Sequence, residues 1–215
     1  PFVALLVSGG HTLLLHAKAF GEYRLIGQTR DDAVGEAFDK GARLLGLAYP
    51  GGPAIAALSE GGDRMAIRFP RGMQGREGFD FSFSGVKTAL RTFLLEYPGR
   101  VASEAGRRDV AASYQEAIVD ILAIKSLAAC RAVGERTLVV AGGVGANQRL
   151  RQILGERAKE VGIRVYFPPL SLCTDNGAMI ALAGLRRFLA GERAEWVLNV
   201  QARWPVEKMP SLQRV

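Results

Sequence analysis

The most informative stretch of the chain reads Val3-Ala-Leu-Leu-Val-Ser-Gly-Gly10, a continuous apolar run that ends in a glycine pair. A run of this length is typical of a buried strand. A second run, Thr137 to Ala141, leads directly into Gly142 and Gly143. Glycine pairs at strand ends let backbone N–H groups approach a ligand, most often a phosphate. A plain tight turn explains one such pair equally well, but two pairs in one domain favour a nucleotide site.

Helical patterns separate the predicted strands. Val34 and Phe38 lie on one face of a helix that Asp31 and Asp32 are predicted to cap. A long helix is predicted over residues 108–133. Strands alternating with helices indicate an α/β fold, and 215 residues suffice for one large domain or two small lobes.

Composition narrows the class of protein. Hydrophobic residues make up 48% of the chain and charged residues 23%, which excludes a disordered chain. The two cysteines, Cys130 and Cys173, are too few for a disulfide framework and fit a reduced, cytoplasmic setting. The sequence contains no apolar run long enough to span a membrane.

The chain is basic, with a formal net charge of +7. Arg68, Arg71 and Arg76 lie within residues 61–80, a segment rich in Gly, Arg and Pro that is predicted to be a surface loop. Such arginines are suited to a polyanionic partner because they neutralise phosphates. The alternative is a basic surface with no partner.

Six blocks of the sequence occur in the order in which one known family has them. They are Leu6-Val-Ser-Gly-Gly-His-Thr12, Asp31-Asp-Ala-Val-Gly-Glu-Ala-Phe-Asp-Lys40, Tyr49-Pro-Gly-Gly-Pro53, Phe81-Ser-Phe-Ser-Gly-Val-Lys87, Val140-Ala-Gly-Gly-Val-Gly-Ala-Asn147 and Cys173-Thr-Asp-Asn176. Through these blocks the chain resembles the TsaD family of tRNA threonylcarbamoyl transferases, over residues 1 to about 205.

The resemblance implies an actin-like ATPase (ASKHA) fold, with a mixed sheet and helices on both of its faces. Residues 1–205 would form the C-terminal portion of that fold, mainly its C-terminal lobe, and residues 206–215 an irregular tail. The implied reaction transfers the threonylcarbamoyl group from threonylcarbamoyl-adenylate to the N6 amine of the adenosine 3′ of the anticodon, in tRNAs that read codons beginning with A.

The resemblance also assigns residues. Asp175 would ligate one Fe²⁺ or Zn²⁺, together with two histidines expected upstream of the chain. The substrate, threonylcarbamoyl-adenylate or ATP/ADP, would contact Leu6, Val7, Ser8, Gly9, Gly10, Asp39, Gly52 and Asn147. The implied partners are tRNA, a TsaB-like paralogue and a TsaE-like ATPase.

Each polar assignment has a structural alternative. Asp175 and Asn147 are suited to cap helices, and Asp39 could instead pair with Lys40 or Arg43. Some relatives have a metal-ligating tyrosine at the position of Leu6. A leucine side chain has no atom that can ligate a metal ion. Because the expected histidine pair and the family's N-terminal lobe lie outside this chain, the chain alone is expected to be inactive. A non-catalytic scaffold of the same fold remains the alternative function.

Overall fold

The computed structural model describes residues 1–193 and 204–208, and the described strands form one sheet. The strands are β1 (Phe2–Val7), β2 (Thr12–Ala19), β3 (Glu22–Gln28), β4 (Thr137–Ala141) and β5 (Arg164–Tyr166). Their order is β3-β2-β1-β4-β5. The pairs β1–β2 and β2–β3 are antiparallel, whereas β1–β4 and β4–β5 are parallel. The predicted α/β fold with a mixed sheet is confirmed.

Tight turns join β1 to β2 and β2 to β3, whereas helices lie between β3 and β4, between β4 and β5, and after β5. The helices are α1 (Val34–Leu44), α2 (Gly51–Leu58), α3 (Ser84–Glu96), α4 (Glu104–Val133), α5 (Gln148–Glu160) and α6 (Gly177–Leu189). The long helix predicted over residues 108–133 is α4, which begins four residues earlier, at Glu104. Within the described ranges, no helix has the length and apolar character that crossing a membrane requires.

The core lies between the sheet and α4. Val3, Leu5 and Val7 are fully buried on one face of β1, because alternate strand residues point to the same side. The residues between them are only partly covered. Tyr114 of α4 is fully buried and donates its hydroxyl proton to the carbonyl oxygen of Ala37, 2.8 Å away, which joins α4 to α1.

The prediction that Asp31 caps α1 is wrong. Ala33 precedes α1, and Asp31 instead binds the start of α3. Its Oδ1 accepts hydrogen bonds from the backbone N–H groups of Phe83 and Ser84, and its Oδ2 accepts from the Ser82 and Ser84 hydroxyls. Burial acts to raise the pKa of Asp31, but these four hydrogen bonds outweigh it and lower the pKa. A carboxylate far away in sequence therefore organises the α3 N-terminus.

Asp32, the second predicted cap, forms ion pairs instead. Its carboxylate lies 2.8 Å from Nζ of Lys40 and 3.2 Å from Nζ of Lys87. Desolvation opposes ionisation of Asp32, yet the hydrogen bonds and charges of the two lysines lower its pKa. Hydrogen bonds of Asp31 and the ion pair of Asp32 with Lys87 therefore connect residues 31–40 with residues 81–87.

The segment predicted as a surface loop, residues 61–80, is packed against α4. Phe69 belongs to the core and is 3% exposed. The Arg71 guanidinium forms an ion pair with Asp120 at 2.9 Å, in which both side chains are about 15% exposed or less. Lys125, which is buried, donates to the carbonyl oxygens of Arg76 and Gly78. The loop therefore has a defined position, and Arg71 faces the protein rather than solvent.

The predicted irregular tail, residues 206–215, lies mostly outside the described residues. Val206–Lys208 form a short 3-10 helix that contacts β3.

Candidate functional site

The first glycine pair forms the hairpin turn between β1 and β2. The Ser8 N–H donates to the His11 carbonyl oxygen at 2.9 Å, and the His11 N–H donates to Ser8 Oγ at 3.1 Å. Gly9 and Gly10, at the tip, are exposed. A Cβ atom added to either glycine would meet no heavy atom within 4 Å. The backbone of this glycine pair is therefore a tight turn, as the alternative predicted. The tip of the turn is exposed and has room for a ligand.

The N-terminus of α1 rests on this turn. The Gly35 N–H donates to the Ser8 carbonyl oxygen at 3.1 Å, and a Cβ on Gly35 would lie only 2.6 Å from that oxygen. Thr12, which is fully buried, accepts a hydrogen bond on Oγ1 from the Val34 N–H at 2.8 Å. The start of α1 is thereby held against the glycine turn, so the positive end of the helix dipole lies at the turn. The N–H groups of Val34 and Gly35 are already bonded within the protein, which leaves the turn itself as the source of donors for a ligand.

The second glycine pair lies directly beside the first. Gly142 has φ 95° and ψ 164°, a conformation reserved almost entirely for glycine. A Cβ on Gly142 would lie 2.3 Å from the Val7 carbonyl oxygen. Because Leu6 of β1 pairs with Ala141 of β4 in a parallel ladder, both strands end at the same edge of the sheet. The prediction that both glycine pairs belong to one site is consistent with this geometry.

Asn147 lies at the end of the second turn and is the N-cap of α5. Its Oδ1 accepts from the Leu150 N–H at 2.9 Å, and its Nδ2 donates to Gln115 Oε1 at 2.8 Å. The capping alternative is confirmed. A nucleotide contact stays a prediction, and the second proton of Nδ2 is the group left for it.

Asp39 and Gly52 come together at the start of α2. Asp39 lies one turn after Gly35 on α1, about 6 Å further along the helix axis. Its Oδ1 accepts from the Gly51 N–H at 2.8 Å. Within the described part of the chain Asp39 forms no ion pair, so the predicted alternative, pairing with Lys40 or Arg43, is wrong. Its other carboxylate oxygen is left for a ligand, and Gly52 has open space where a Cβ would be.

A cleft of about 280 Å³ opens at Asp39. Acidic and basic side chains both line it, and one apolar wall is formed by residues 47–49. The lining residues are Glu36, Asp39, Lys40, Arg43, Leu47, Ala48, Tyr49 and Gly51. Helix α1 therefore extends from the first glycine turn, which its N-terminus contacts, to this cleft, which Asp39 and Lys40 line.

Asp175 lies near the second glycine turn without capping α6. The N-cap is Asn176, whose Oδ1 accepts from the Met179 N–H at 3.1 Å, so the capping alternative for Asp175 is wrong. The preceding residue, Thr174, places its Cγ2 3.8 Å from an ideal Cβ on Gly143. Asp175 is exposed, and no partner for its carboxylate occurs in the described ranges.

The metal assignment can be compared with the donors that the chain offers. Across residues 1–193 and 204–208, no group of three or more His, Cys, Asp or Glu side chains could hold a metal ion. The described residues therefore supply one candidate carboxylate and not a complete metal centre. His16 belongs to no such group, and its Nε2 is hydrogen-bonded to Glu135 Oε1 at 2.9 Å in the middle of β2.

Sequence reasoning missed four residues that shape this site: Thr12, Gly35, Gln115 and Arg151. Gly35 had a readable signal, since a glycine inside a helical pattern often marks close backbone approach. Thr12 is polar at the start of a strand but fully buried, which only the packing of α1 explains. Gln115 and Arg151 act through contacts distant in sequence and had no local signal.

The fold and the site define an α/β protein with two glycine turns, which follow the carboxyl ends of the adjacent parallel strands β1 and β4. In α/β proteins with parallel strands, ligands bind at this edge of the sheet. The family model for TsaD, described as tRNA N6-adenosine threonylcarbamoyltransferase, matches residues 1–182. The chain belongs to the TsaD family, which has an actin-like ATPase fold.

Two curated relatives carry the name tRNA N6-adenosine threonylcarbamoyltransferase. The protein from Magnetococcus marinus is 62% identical over 212 residues, which are 99% of this chain and 60% of that protein. The protein from Methylibium petroleiphilum is 55% identical over 209 residues, which are 96% of this chain and 60% of that protein. The chain thus spans about 60% of the length of the curated relatives it matches.

Proposed function

We propose that the full-length protein transfers a threonylcarbamoyl group from threonylcarbamoyl-adenylate to the N6 amine of the adenosine 3′ of the anticodon, in tRNAs that read codons beginning with A. Membership of the TsaD family supports this reaction. The observation that carries it is the contact between the two glycine turns, where Gly142 packs on the Val7 carbonyl group.

In this proposal the glycine turns bind the adenylate. Phosphate or carbamoyl oxygens would accept hydrogen bonds from the exposed backbone N–H groups of Gly9 and Gly10 and from the Ser8 hydroxyl. The N-terminus of α1 supports this turn through the bond from Gly35 to Ser8. Donors held in place before the reaction stabilise developing negative charge better than water does. Val7 and Leu6 contribute as backbone, because the Val7 side chain is buried in the core.

Asp39, Gly52 and Asn147 would hold the nucleoside. The uncommitted Asp39 oxygen is suited to accept from a ribose hydroxyl, and the open space at Gly52 is suited to a flat ring or sugar. The Asn147 amide would donate its second Nδ2 proton. All three are anchored in the protein by hydrogen bonds of their own or of their neighbours, so little entropy is lost on binding.

The chemical step needs no covalent protein intermediate. The tRNA amine attacks the carbamoyl carbon, the bond from that carbon to the AMP oxygen breaks, and AMP leaves with the electron pair. The amine releases one proton as the new C–N bond forms. The chain's part is to orient the adenylate for this attack, which alone lowers a barrier considerably.

The reaction is tested with full-length protein, threonylcarbamoyl-adenylate and tRNA, with and without the two proposed protein partners, by mass spectrometry of the digested nucleosides. We expect N6-threonylcarbamoyladenosine to form and AMP to be released in equal amounts. A phosphorylated product, as from a sugar kinase of the same fold class, would contradict the proposal, and so would a protein that only supports transfer by a partner.

We also propose that Asp175 supplies one ligand of an Fe²⁺ or Zn²⁺ ion in the full-length protein, with imidazoles from outside this chain. Such an ion would polarise the carbamoyl group or hold its phosphate. The proposal rests on the exposed Asp175 carboxylate near the second glycine turn, which has no partner among the described residues, and on the preference of these ions for hard oxygen and imidazole donors.

The change Asp175→Ala should lower the metal content of the full-length protein. It should leave the melting temperature of the metal-free protein nearly unchanged, because this carboxylate binds no described residue. Asn176→Ala is the matched control. It removes the cap of α6 and should cost about 1 kcal/mol of stability while the metal stays bound. Elemental analysis beside a melting curve separates the two. Full metal content in Asp175→Ala would exclude the ligand role.

For tRNA we propose a contact through the exposed arginines of the loop at residues 61–80. Arg64, Arg68 and Arg76 are exposed and have no side-chain partner within the described residues. The loop is fixed to α4, so these charges are presented at defined positions. A TsaB-like paralogue and a TsaE-like ATPase remain the proposed protein partners.

Arg68→Ala with Arg76→Ala should weaken tRNA binding by full-length protein and reduce the slope of log affinity against log salt by roughly 2, about 1 for each lost phosphate contact. Arg136→Ala with Arg164→Ala is the control. It removes the same charge from exposed positions where β4 and β5 begin, at the edge of the sheet opposite the glycine turns. Equal slopes for the two double variants would mean that the loop is not the contact.

A further inference from the structure

Arg151, in the first turns of α5, bonds to two separate segments of the candidate site. Its Nε donates to the Gly145 carbonyl oxygen at 2.8 Å. Its Nη2 donates to the Pro168 carbonyl oxygen at 2.8 Å and lies 3.3 Å from Cys173 Sγ. The guanidinium also stacks on the Phe167 ring, 4.9 Å from the ring centroid. The whole guanidinium is thereby held in one orientation.

The two segments that Arg151 joins are the second glycine turn and the loop from β5 to α6. Gly145 belongs to the 3-10 helix Gly143–Ala146, directly after Gly142. Pro168 and Cys173 bracket the loop that leads to Thr174, the neighbour of Gly143. In the described structure, no main-chain hydrogen bond connects residues 142–147 with residues 168–174. The β4–β5 ladder ends at the pair Val139 and Tyr166. Beyond that pair, the side-chain bonds of Arg151 join the two segments.

We propose that Arg151 is a positioning residue, which holds the second glycine turn and the loop at residues 168–174 in the arrangement that binds the adenylate. This inference rests on the proposed function, since it assigns the ligand-binding geometry of that same site to a residue that does not touch the ligand. A guanidinium is required because its planar fork reaches two carbonyl oxygens and a ring face at once. A lysine ammonium is a flexible point charge and cannot reproduce this geometry.

Arg149 offers a matched control on the same helix. Its Nε and Nη2 each lie 2.7 Å from a carboxylate oxygen of Glu116, on α4, so it too uses a guanidinium fork in a mostly buried place. Arg149 joins α5 to α4, and among the described residues its side chain forms no hydrogen bond or ion pair with either segment of the site. Arg149→Lys and Arg151→Lys therefore make the same chemical change. The first alters a contact between α5 and α4, and the second alters the contact between the two segments of the site.

The experiment measures amide hydrogen exchange and ADP affinity in both full-length variants, well below their melting temperatures. Arg151→Lys should speed exchange in residues 142–147 and 168–174 and weaken ADP binding at least about fivefold, with a small change in melting temperature. Arg149→Lys should lower the melting temperature and leave both the exchange of these segments and the ADP affinity near wild type.

Two results would overturn the proposal: wild-type exchange and affinity in Arg151→Lys, or an equal loss of affinity in Arg149→Lys. If the wild-type protein itself binds no adenine nucleotide, the proposed function fails at that point. The exchange comparison then still decides whether Arg151 holds the two segments together, because it needs no ligand.

Discussion

Replacing Gly142 with alanine should destabilise the protein by at least about 2 kcal/mol, because two separate penalties act at this position. Its φ of 95° and ψ of 164° are strained for any residue with a Cβ. In addition, the Cβ would lie 2.3 Å from the Val7 carbonyl oxygen and 2.8 Å from its carbon. Both atoms are backbone atoms of a central strand, so neither can rotate away. Urea denaturation of wild type and variant measures the difference.

Substitutions at two other glycines distinguish the cost of backbone strain from the cost of the clash with Val7. Gly134, the residue that ends α4, has φ 75° but open space at its Cβ position, so Gly134→Ala carries the backbone strain alone. Gly143 has no positive φ, and its nearest atom is the Thr174 methyl group at 3.8 Å, so Gly143→Ala should be nearly neutral. A stability loss that decreases from Gly142→Ala through Gly134→Ala to Gly143→Ala is the expected result. If Gly142→Ala costs no more than Gly134→Ala, the two turns are not in close contact.

The site was predictable where its signal is local. A strand followed by a glycine pair is visible in seven or eight residues, and two such patterns predicted turns that the structure brings together at one edge of the sheet. The cap at Asn147 was also visible, because a capping residue and the helix that follows it are adjacent in sequence.

Predictions went wrong where the partner is distant in sequence. Asp31 has the position and chemistry of a cap for α1, but it serves α3, whose first N–H groups are about 50 residues away. Arg71 lies in a segment whose Gly- and Arg-rich composition is typical of a phosphate-binding loop. Its guanidinium instead forms an ion pair with Asp120 of α4. A single sequence shows that a charge is present and not which opposite charge the fold brings next to it.

The cap of α6 shows a different limit. Thr174, Asp175 and Asn176 are three consecutive residues that can all cap a helix, and the local pattern cannot distinguish between them. The structure selects Asn176. That choice leaves the Asp175 carboxylate without a structural role in the described chain, which strengthens the case for testing it as a ligand.

The second large effect is expected on ligand binding and not on stability. Gly9→Val should lower the affinity of the full-length protein for threonylcarbamoyl-adenylate or ADP by at least about tenfold, equivalent to about 1.4 kcal/mol. The side chain would stand at the tip of the first glycine turn, where the proposed ligand approaches the backbone. In the unliganded chain its Cβ would meet no heavy atom within 4 Å, and Gly9 is exposed, so we expect folding to be nearly unaffected. Titration calorimetry beside a melting curve measures both quantities.

Gly99→Val is the matched control for this change. Gly99 also lacks a positive φ and has open space at its Cβ position, but it lies in the 3-10 helix Pro98–Val101, away from the glycine turns. Both variants should melt close to wild type, and only Gly9→Val should bind the nucleotide weakly. Wild-type affinity in a folded Gly9→Val protein would show that the ligand does not approach this turn. The hairpin would then be a structural corner that supports α1 through Ser8 and Gly35, with the second glycine turn left as the ligand contact.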